Sequence, residues 1–284
     1  MYSAPITRLH PTAFILLVDR SGSMAERIVF GGVEMAKSRA VTLVAGSFID
    51  ELLYRARRED GTRDYYDIAV LGYSGEGVRS LVSAEGEFVR PSRLAAAGPL
   101  RSENVVRERL LPSGRSVVAV TRQSVWFDEL ASGVTPMCGA LGEALALAGR
   151  WCRRNSTSYP PTVINITDGE PSDGDDDRVR DLARRIRATS TADGETILMN
   201  IHLARASGVE APVLFPASLS ELPDHRYARL LWDASSEMPV GYAETIRAMK
   251  GGGEAGAFRA VGWGSHIGEV AAMMNIGSVN SVML

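Results

Sequence analysis

The sequence contains few cysteines, little net charge and no long apolar run. Cys138 and Cys152 are its two cysteines, so it has neither a disulfide framework nor the cysteine spacing of a zinc site. The formal net charge of −3 favours neither nucleic acid nor an anionic membrane surface as a partner. The apolar run at residues 13–18 is too short for a signal segment or a membrane span. These absences predict a soluble, cytoplasmic protein that binds neither nucleic acid nor a membrane.

The composition is that of an ordinary globular domain. Hydrophobic residues make up 45% and charged residues 23% of the 284 residues, which is enough for a large buried core. The sequence shows no internal repeat, low-complexity tract or obvious linker. It therefore predicts a single domain over residues 1–284, with a core at about residues 13–275.

Apolar runs alternate with helical patterns along the chain. The segments typical of strands are 13–18, 66–74, 161–167, 196–204 and 257–263. The segments with helical spacing are 33–57, 136–152, 172–188, 227–236, 241–250 and 266–276. This alternation predicts an α/β fold with a doubly wound, mostly parallel central sheet and helices on both faces. A hairpin at 77–83 is expected to add one antiparallel edge strand.

Two longer stretches interrupt the alternation. Residues 84–124 are predicted to form an elaborated insertion, and residues 206–222 a long loop. Both are longer than a plain connection requires, and long loops beside a binding site are often functional. We expect them to provide specificity for a partner.

Polar side chains are placed at the ends of two apolar strands and at the start of a helix. Asp19, Ser21 and Ser23 follow the first strand, Thr135 precedes a helix, and Asp168 follows the third strand. In open α/β sheets, ligands bind outside the carboxyl ends of the strands. Five oxygen-bearing side chains without nitrogen or sulfur suit a hard cation, Mg²⁺, Mn²⁺ or Ca²⁺, rather than zinc. The sequence therefore predicts a metal site at this edge.

Each of the three clusters has a simpler explanation when it is taken alone. The first could be a capped strand-to-helix turn. In a metal site, Gly22 would let the turn bend tightly enough for Ser21 and Ser23 to face the same point. Asp168 could form an Asx turn closed by Gly169, and Thr135 could cap the helix that begins at Pro136. Three such clusters at one sheet edge favour the metal site.

The three motifs together resemble one family. D-x-S-x-S as DRSGS, a TP before a helix and a TDG after a strand resemble the von Willebrand factor type A (VWA) domain over most of the chain. The resemblance implies a metal-ion-dependent adhesion site (MIDAS). In such a site Ser21 and Ser23 would ligate the metal directly, and Thr135 directly or through water. Asp19 and Asp168 would contribute directly or through water.

The same resemblance implies a function. In VWA domains the metal keeps an open position that an Asp or Glu carboxylate of a partner protein fills. The segments TPMCGALGEAL and ITDGEPSDG are similar to the bacterial intracellular branch related to tellurite-resistance-associated proteins. Relatives in that branch accompany protein kinases, PP2C-type phosphatases or MoxR-type AAA+ ATPases, some in stress-response or defence systems. The expectation is a non-enzymatic adaptor or scaffold.

Two other functions are kept as alternatives. In a purely structural subunit the metal would only order the loops. In a metal-dependent phosphoryl-transfer enzyme Asp19 would be the nucleophile, but Ser21 stands where a second acid is needed. The segment GYSGEG is not a nucleophile elbow, because Glu76 replaces the required glycine, and no G-x-x-x-x-G-K phosphate loop is present. These departures favour a binding protein over an enzyme.

A run of acids at 173–177 and a group of arginines at 178–187 follow the third strand. The acids could bind a second cation, but acids at a helix N-terminus that complement the helix dipole are favoured. The arginines could form a patch for an acidic partner, although a solvated helix face is the commoner arrangement.

Overall fold

The computed structural model describes residues 2–83, 88–110, 116–204, 211–252 and 256–278. Of residues 106–110 and 116–119 it describes the backbone only. Parts of the predicted insertion and of the predicted long loop, residues 84–87, 111–115 and 206–210, lie outside the described residues.

Strands and helices alternate along the described chain. The strands are β1 (Thr12–Asp19), β2 (Arg27–Phe30), β3 (Val33–Ala36), β4 (Arg57–Arg58), β5 (Gly61–Thr62), β6 (Tyr66–Ser74), β7 (Gly77–Ser80), β8 (Arg101–Leu110), β9 (Ser116–Val125), β10 (Thr162–Thr167), β11 (Ser190–Thr191), β12 (Gly194–Glu195), β13 (Ile197–Leu203), β14 (Val213–Leu214) and β15 (Val261–Ser265). The helices are α1 (Lys37–Ala56), α2 (Pro91–Ala97), α3 (Met137–Arg154), α4 (Asp176–Ala188), α5 (Arg226–Ala234), α6 (Ala243–Met249) and α7 (Ile267–Ser278).

Seven strands form the central sheet in the order β14-β15-β13-β10-β1-β6-β7. The five inner strands, β15, β13, β10, β1 and β6, are parallel to their inner neighbours. The predicted α/β class and doubly wound sheet are therefore confirmed. The predicted antiparallel edge strand is β7, and β14 adds a second at the other edge.

The chain reverses its direction of winding beside β1. From β1 it proceeds to β6 on one side, then crosses to β10 on the other. In doubly wound folds the crevice at such a switch point is where ligands bind. The carboxyl ends of β1 and β10 flank this crevice.

Helices cover both faces of the sheet, so β1 is buried along its whole length. Phe14, Leu16 and Val18 belong to the core beneath α1 and α7. Ile15 and Leu17 belong to the opposite core, beneath α3, α4 and α5. This alternation explains the unbroken apolar run of β1. Among the described helices, none is long and apolar enough to cross a membrane.

The first helix begins later than its pattern predicts. Residues 33–36 form β3, which pairs with β2 in an antiparallel hairpin. Gly31 and Gly32 connect the two strands with φ angles of 60° and 83°, the left-handed pair typical of a tight hairpin turn. The apolar spacing of α1 extends back into this hairpin, so periodicity alone misplaced the boundary.

The described parts of the two longer stretches contain regular structure. The insertion forms α2 and an antiparallel hairpin of β8 and β9, which packs against α1. The long loop contains β14 and a 3₁₀ turn at Leu219–Glu221. The last predicted strand lies a few residues later than expected, as β15.

Candidate metal centre

The five predicted ligands lie on three loops at the carboxyl edge of the sheet. The first loop follows β1 and carries Asp19, Ser21 and Ser23. The second precedes α3 and carries Thr135, and the third follows β10 and carries Asp168. The structure brings all five together at the crevice between β1 and β10.

Asp19 is fully buried, and both of its carboxylate oxygens accept hydrogen bonds. The backbone N–H of Ser21 donates to Oδ1 at 2.9 Å, and the hydroxyl of Thr167 donates to Oδ2 at 2.7 Å. Burial raises the pKa of the Asp19 carboxyl to about 6, and a cation beside it would act in the opposite direction. The site thus holds a desolvated carboxylate in a fixed orientation.

The serine hydroxyls connect the first loop to the third. Ser23 Oγ lies 3.1 Å from Ser21 Oγ and donates to Asp168 Oδ1 at 2.5 Å. The 3₁₀ turn that begins at Gly22 has no side-chain cap, so the Ser21 hydroxyl does not cap it. The two serine hydroxyls therefore face each other, and that of Ser23 contacts Asp168.

The Thr135 hydroxyl has no capping role. The N-cap of α3 is Pro136, without a side-chain cap bond. Instead Asp173 accepts from the backbone N–H groups of Cys138 and Gly139, at 2.9 and 2.8 Å. Among the described residues the Thr135 side chain has no hydrogen-bond partner, so its oxygen is available to a ligand.

The Thr135 and Ser23 hydroxyls both lie close to Gly169. A Cβ atom at position 169, where the chain has glycine, would lie 3.7 Å from Thr135 Oγ1 and 3.8 Å from Ser23 Oγ. The backbone N–H of Gly169 donates to the Thr167 hydroxyl at 3.2 Å, and the Asp168 carboxylate accepts from Ser23 and Lys37. Two hydroxyls from loops distant in sequence, those of Ser23 and Thr135, thus lie near the same position.

Glycines allow the loops to approach this closely. Gly133 has a φ of 71°, and a Cβ atom there would lie 2.6 Å from the Cα of Gly75. Gly22 donates its N–H to the carbonyl oxygen of Gly133 at 2.9 Å. Gly22 itself has no left-handed φ, so it serves close approach rather than a sharp bend.

Sequence reasoning missed Lys37 and Thr167. Lys37 is the first residue of α1, and its side chain is only 1% exposed. Its Nζ donates to Asp168 Oδ2 at 3.1 Å and forms an ion pair with Glu26. The only signal was a lysine placed where an apolar helical pattern begins. The site therefore combines three carboxylates with one ammonium.

The donor set fits a hard cation. Within the described part of the chain, no group of three or more His, Cys, Asp or Glu side chains could hold a metal ion, so an ion at this site would depend on the hydroxyl oxygens. Burial raises the pKa of the Cys138 thiol, near Thr135 in sequence, to about 11, which keeps it protonated at neutral pH. Two carboxylates and three hydroxyls match the oxygen preference of Mg²⁺.

The acids at 173–177 have structural partners. Asp173 caps α3, and Asp175 caps α4 by accepting from the N–H of Arg178 at 2.9 Å. Asp176 forms an ion pair with Arg226. These contacts agree with the favoured interpretation as acids at helix N-termini.

No protein-family model and no curated protein matches the sequence. Solved structures do match it. The von Willebrand factor type A protein from Catenulispora acidiphila is 15% identical with a TM-score of 0.39, covering 68% of this chain and 33% of that one. The vWF domain of the type V pili tip protein Mfa5 from Porphyromonas gingivalis is 15% identical with a TM-score of 0.30, covering 57% and 39%.

An uncharacterized membrane spanning protein from Vibrio fischeri is 16% identical with a TM-score of 0.27, covering 68% of this chain and 71% of that one. The first two neighbours are von Willebrand factor type A domains, the family that the three motifs resemble. The match spans 33% of the first neighbour's length and 39% of the second's. At these identities and scores the neighbours carry no functional argument, and the chain's own strand order establishes the fold.

Proposed function

We propose that this chain is a VWA-type interaction module that binds a divalent cation, Mg²⁺ in the first place and Mn²⁺ or Ca²⁺ as alternatives. The observation that carries the proposal is the pair of hydroxyls on Ser23 and Thr135. They come from distant loops, lie close to one another beside Gly169, and cap neither neighbouring helical turn. Hydroxyls arranged in this way beside two carboxylates support a cation site.

The five proposed ligands would hold the ion in two ways. Ser21, Ser23 and Thr135 would supply neutral oxygens, and Asp19 and Asp168 would balance the charge. Hydrogen bonds from Thr167 and Lys37 orient the two carboxylates before any ion binds. When bound, a divalent cation supplies a directional attraction for one more acidic oxygen.

The distribution of exposure supports a partner that approaches from one direction. The two aspartates are buried, whereas Ser23 is exposed and Val134, beside Thr135, is 59% exposed. An Asp or Glu side chain of a partner protein would therefore reach the ion past these two residues. We propose binding rather than catalysis as the role of this site.

The proposed partner class and location rest on the motif resemblance. We propose a bacterial adaptor or scaffold in the cytoplasm, in a stress-response, signalling or defence system. A protein kinase, a PP2C-type phosphatase or a MoxR-type ATPase is the class of partner that the resemblance supports. A structural subunit, in which the ion only orders the loops, is the second candidate.

The first test is a calorimetric titration of metal-free protein with Mg²⁺. Asp19→Asn keeps the shape of the side chain but removes its charge, and we expect it to abolish saturable binding. Asp60→Asn is the matched control, since Asp60 is exposed and pairs only with the nearby Arg63 in the described structure. Equal Mg²⁺ affinity in the wild type and in Asp19→Asn would overturn the site.

The second test separates the two candidate functions. The wild type and Asp19→Asn are used to capture partners from a lysate of the source organism, in Mg²⁺ and in EDTA. A partner retained by the wild type in Mg²⁺, and lost both in EDTA and with Asp19→Asn, supports adhesion through the ion. A partner retained in all four conditions supports the structural subunit instead.

A further inference from the structure

A cavity lies on the side of the sheet opposite the candidate metal centre, where the inner strands begin. It is placed at the amino ends of β13 and β15, beside the last turn of α4 and the segment that follows α5. Its volume is about 720 Å³, which is in the range of small-molecule sites. Arg184, Arg187 and Arg259 line it, and we name it the arginine cleft.

Two of these arginines are held side by side. Arg187 Nη1 and Arg259 Nη1 both donate to the carbonyl oxygen of Ser235, each at 3.2 Å. The guanidinium of Arg259 also lies over the ring of Trp232, 4.8 Å from its centroid. The two positive charges therefore share one neutral acceptor, which fixes their positions without neutralising them.

Among the described residues, neither Arg187 nor Arg259 has a carboxylate oxygen within 4.0 Å. Arg187 differs in this respect from other arginines of α4. Arg180, Arg184 and Arg185 each form an ion pair with an aspartate. In addition, Nε of Arg187 is buried and has no hydrogen-bond partner in the described structure. The cleft therefore presents two guanidiniums without a carboxylate partner, an arrangement suited to an anion that enters it.

The electrostatics of the cleft agree with this geometry. Burial lowers the pKa of Arg187, and the neighbouring Arg259 lowers it further. Glu195 and Glu237 also line the cleft and are exposed. The carboxylate of Glu195 raises the pKa of Arg187, but by less than burial and Arg259 lower it. An added anion would relieve the repulsion between the two guanidiniums.

We propose that the arginine cleft binds the phosphoryl group of a small phosphorylated molecule. Paired guanidiniums present more N–H donors than the two oxygens of one carboxylate can accept, whereas a phosphoryl group offers at least three oxygens and more charge. The volume of the cleft leaves room for the rest of a small molecule beside Arg184 and the apolar side chains of Met238 and Val240. This site is independent of the proposed cation site.

The probe for the test is pyrophosphate, titrated calorimetrically into the purified chain in EDTA so that the metal centre does not contribute. We expect saturable binding in the wild type. Arg187→Gln and Arg259→Gln should each raise the dissociation constant at least tenfold, because each removes charged hydrogen bonds. Arg187→Lys keeps the charge but loses the planar fork, so its affinity should fall between those of the wild type and Arg187→Gln.

Arg185→Gln is the matched control, since Arg185 lies two residues from Arg187 on α4, outside the cleft, and pairs with Asp181. It should bind pyrophosphate like the wild type. The proposal is overturned if the wild type shows no saturable binding, if Arg187→Gln binds equally well, or if acetate at the same ionic strength competes fully. If circular dichroism shows that Arg187→Gln is unfolded, the pyrophosphate affinities of Arg259→Gln and Arg187→Lys are compared with that of the wild type instead.

Discussion

At the scale of single residues, the candidate metal centre depends on side chains that the fold itself does not require. Thr135 is the clearest case, because its hydroxyl has no partner among the described residues and α3 is capped by Asp173 instead. By contrast, Asp19 and Asp168 are bound to neighbouring groups whether or not an ion is present. Removal of the Thr135 hydroxyl therefore separates metal binding from stability.

We predict that Thr135→Val lowers the affinity for Mg²⁺ at least tenfold. Its free energy of unfolding in EDTA should stay within about 0.5 kcal/mol of the wild type, since no hydrogen bond is lost. Calorimetry with Mg²⁺ and urea unfolding in EDTA measure the two quantities. Thr157→Val, at an exposed threonine far from the site, is the control. An unchanged Mg²⁺ affinity in Thr135→Val would remove this residue from the ligand set.

Lys37 provides the second residue-scale prediction. Removal of one partner of a buried ion pair typically costs about 3–5 kcal/mol, because the other charge is left buried without a counter-ion. We predict that Lys37→Met is destabilised in EDTA by an amount of this order, and that Mg²⁺ stabilises it more than the wild type. The reason is that a cation can take over the neutralisation of Asp168.

The control for Lys37→Met is the other lysine of the chain. Lys250 also pairs with a glutamate, Glu221, but it is partly exposed and far from the three loops. Lys250→Met should lose less stability and should show the Mg²⁺ dependence of the wild type. Urea unfolding with and without Mg²⁺ gives both comparisons. If Mg²⁺ stabilises Lys37→Met no more than the wild type, Lys37 does not act on the ion.

At the scale of elements, the loops after β1 and before α3 and the β6–β7 turn are joined through backbone contacts between glycines. Gly133 has a left-handed φ, and its Cα faces Gly75 so closely that a Cβ atom would lie 2.6 Å from the Cα of that residue. We predict that Gly133→Ala costs at least about 2 kcal/mol, from backbone strain and from the displaced turn. It should also weaken Mg²⁺ binding, because Thr135 lies two residues away.

Gly142→Ala is the control for this element. Gly142 lies inside α3, and a Cβ atom there would meet nothing within 4 Å. Alanine at this position should stabilise the chain by about 0.5–1 kcal/mol, because it reduces the backbone entropy of the unfolded state. Thermal or urea unfolding of the two variants measures the contrast. Equal stability of Gly133→Ala and Gly142→Ala would mean that the close approach of the loops is not needed.

Sequence patterns predicted the strands that are buried on both faces, because such strands appear as continuous apolar runs. β1 and β10 are buried on both faces, so their apolar runs and terminal aspartates were evident. The β2–β3 hairpin and the β8–β9 hairpin were missed, since they lie outside the central sheet and lack its apolar runs. The same limit applies to Lys37, whose burial results from a tertiary contact with the β10 loop that no local pattern encodes.

At the scale of the whole molecule, the two proposed sites lie at opposite ends of the inner parallel strands and are built from different side chains. The carboxyl edge gathers carboxylates and hydroxyls around the candidate metal centre, and the amino edge gathers guanidiniums in the arginine cleft. The parallel order of the inner strands produces this separation, because it directs all their carboxyl ends to one side. A cation at the candidate metal centre is therefore expected to leave the arginine cleft free to bind its own ligand.

The effect of Mg²⁺ on the whole molecule follows from mass action. An ion that binds only the folded state at 100 times its dissociation constant adds about 2.7 kcal/mol to the free energy of unfolding. We predict that Mg²⁺ slows amide hydrogen exchange at the three loops, residues 19–26, 130–137 and 167–173, more than in the β8–β9 hairpin. That hairpin packs on α1 but contributes no ligand, so it serves as the internal reference. Slowing confined to the hairpin, or slowing that persists in Asp19→Asn, would place the ion elsewhere on the chain.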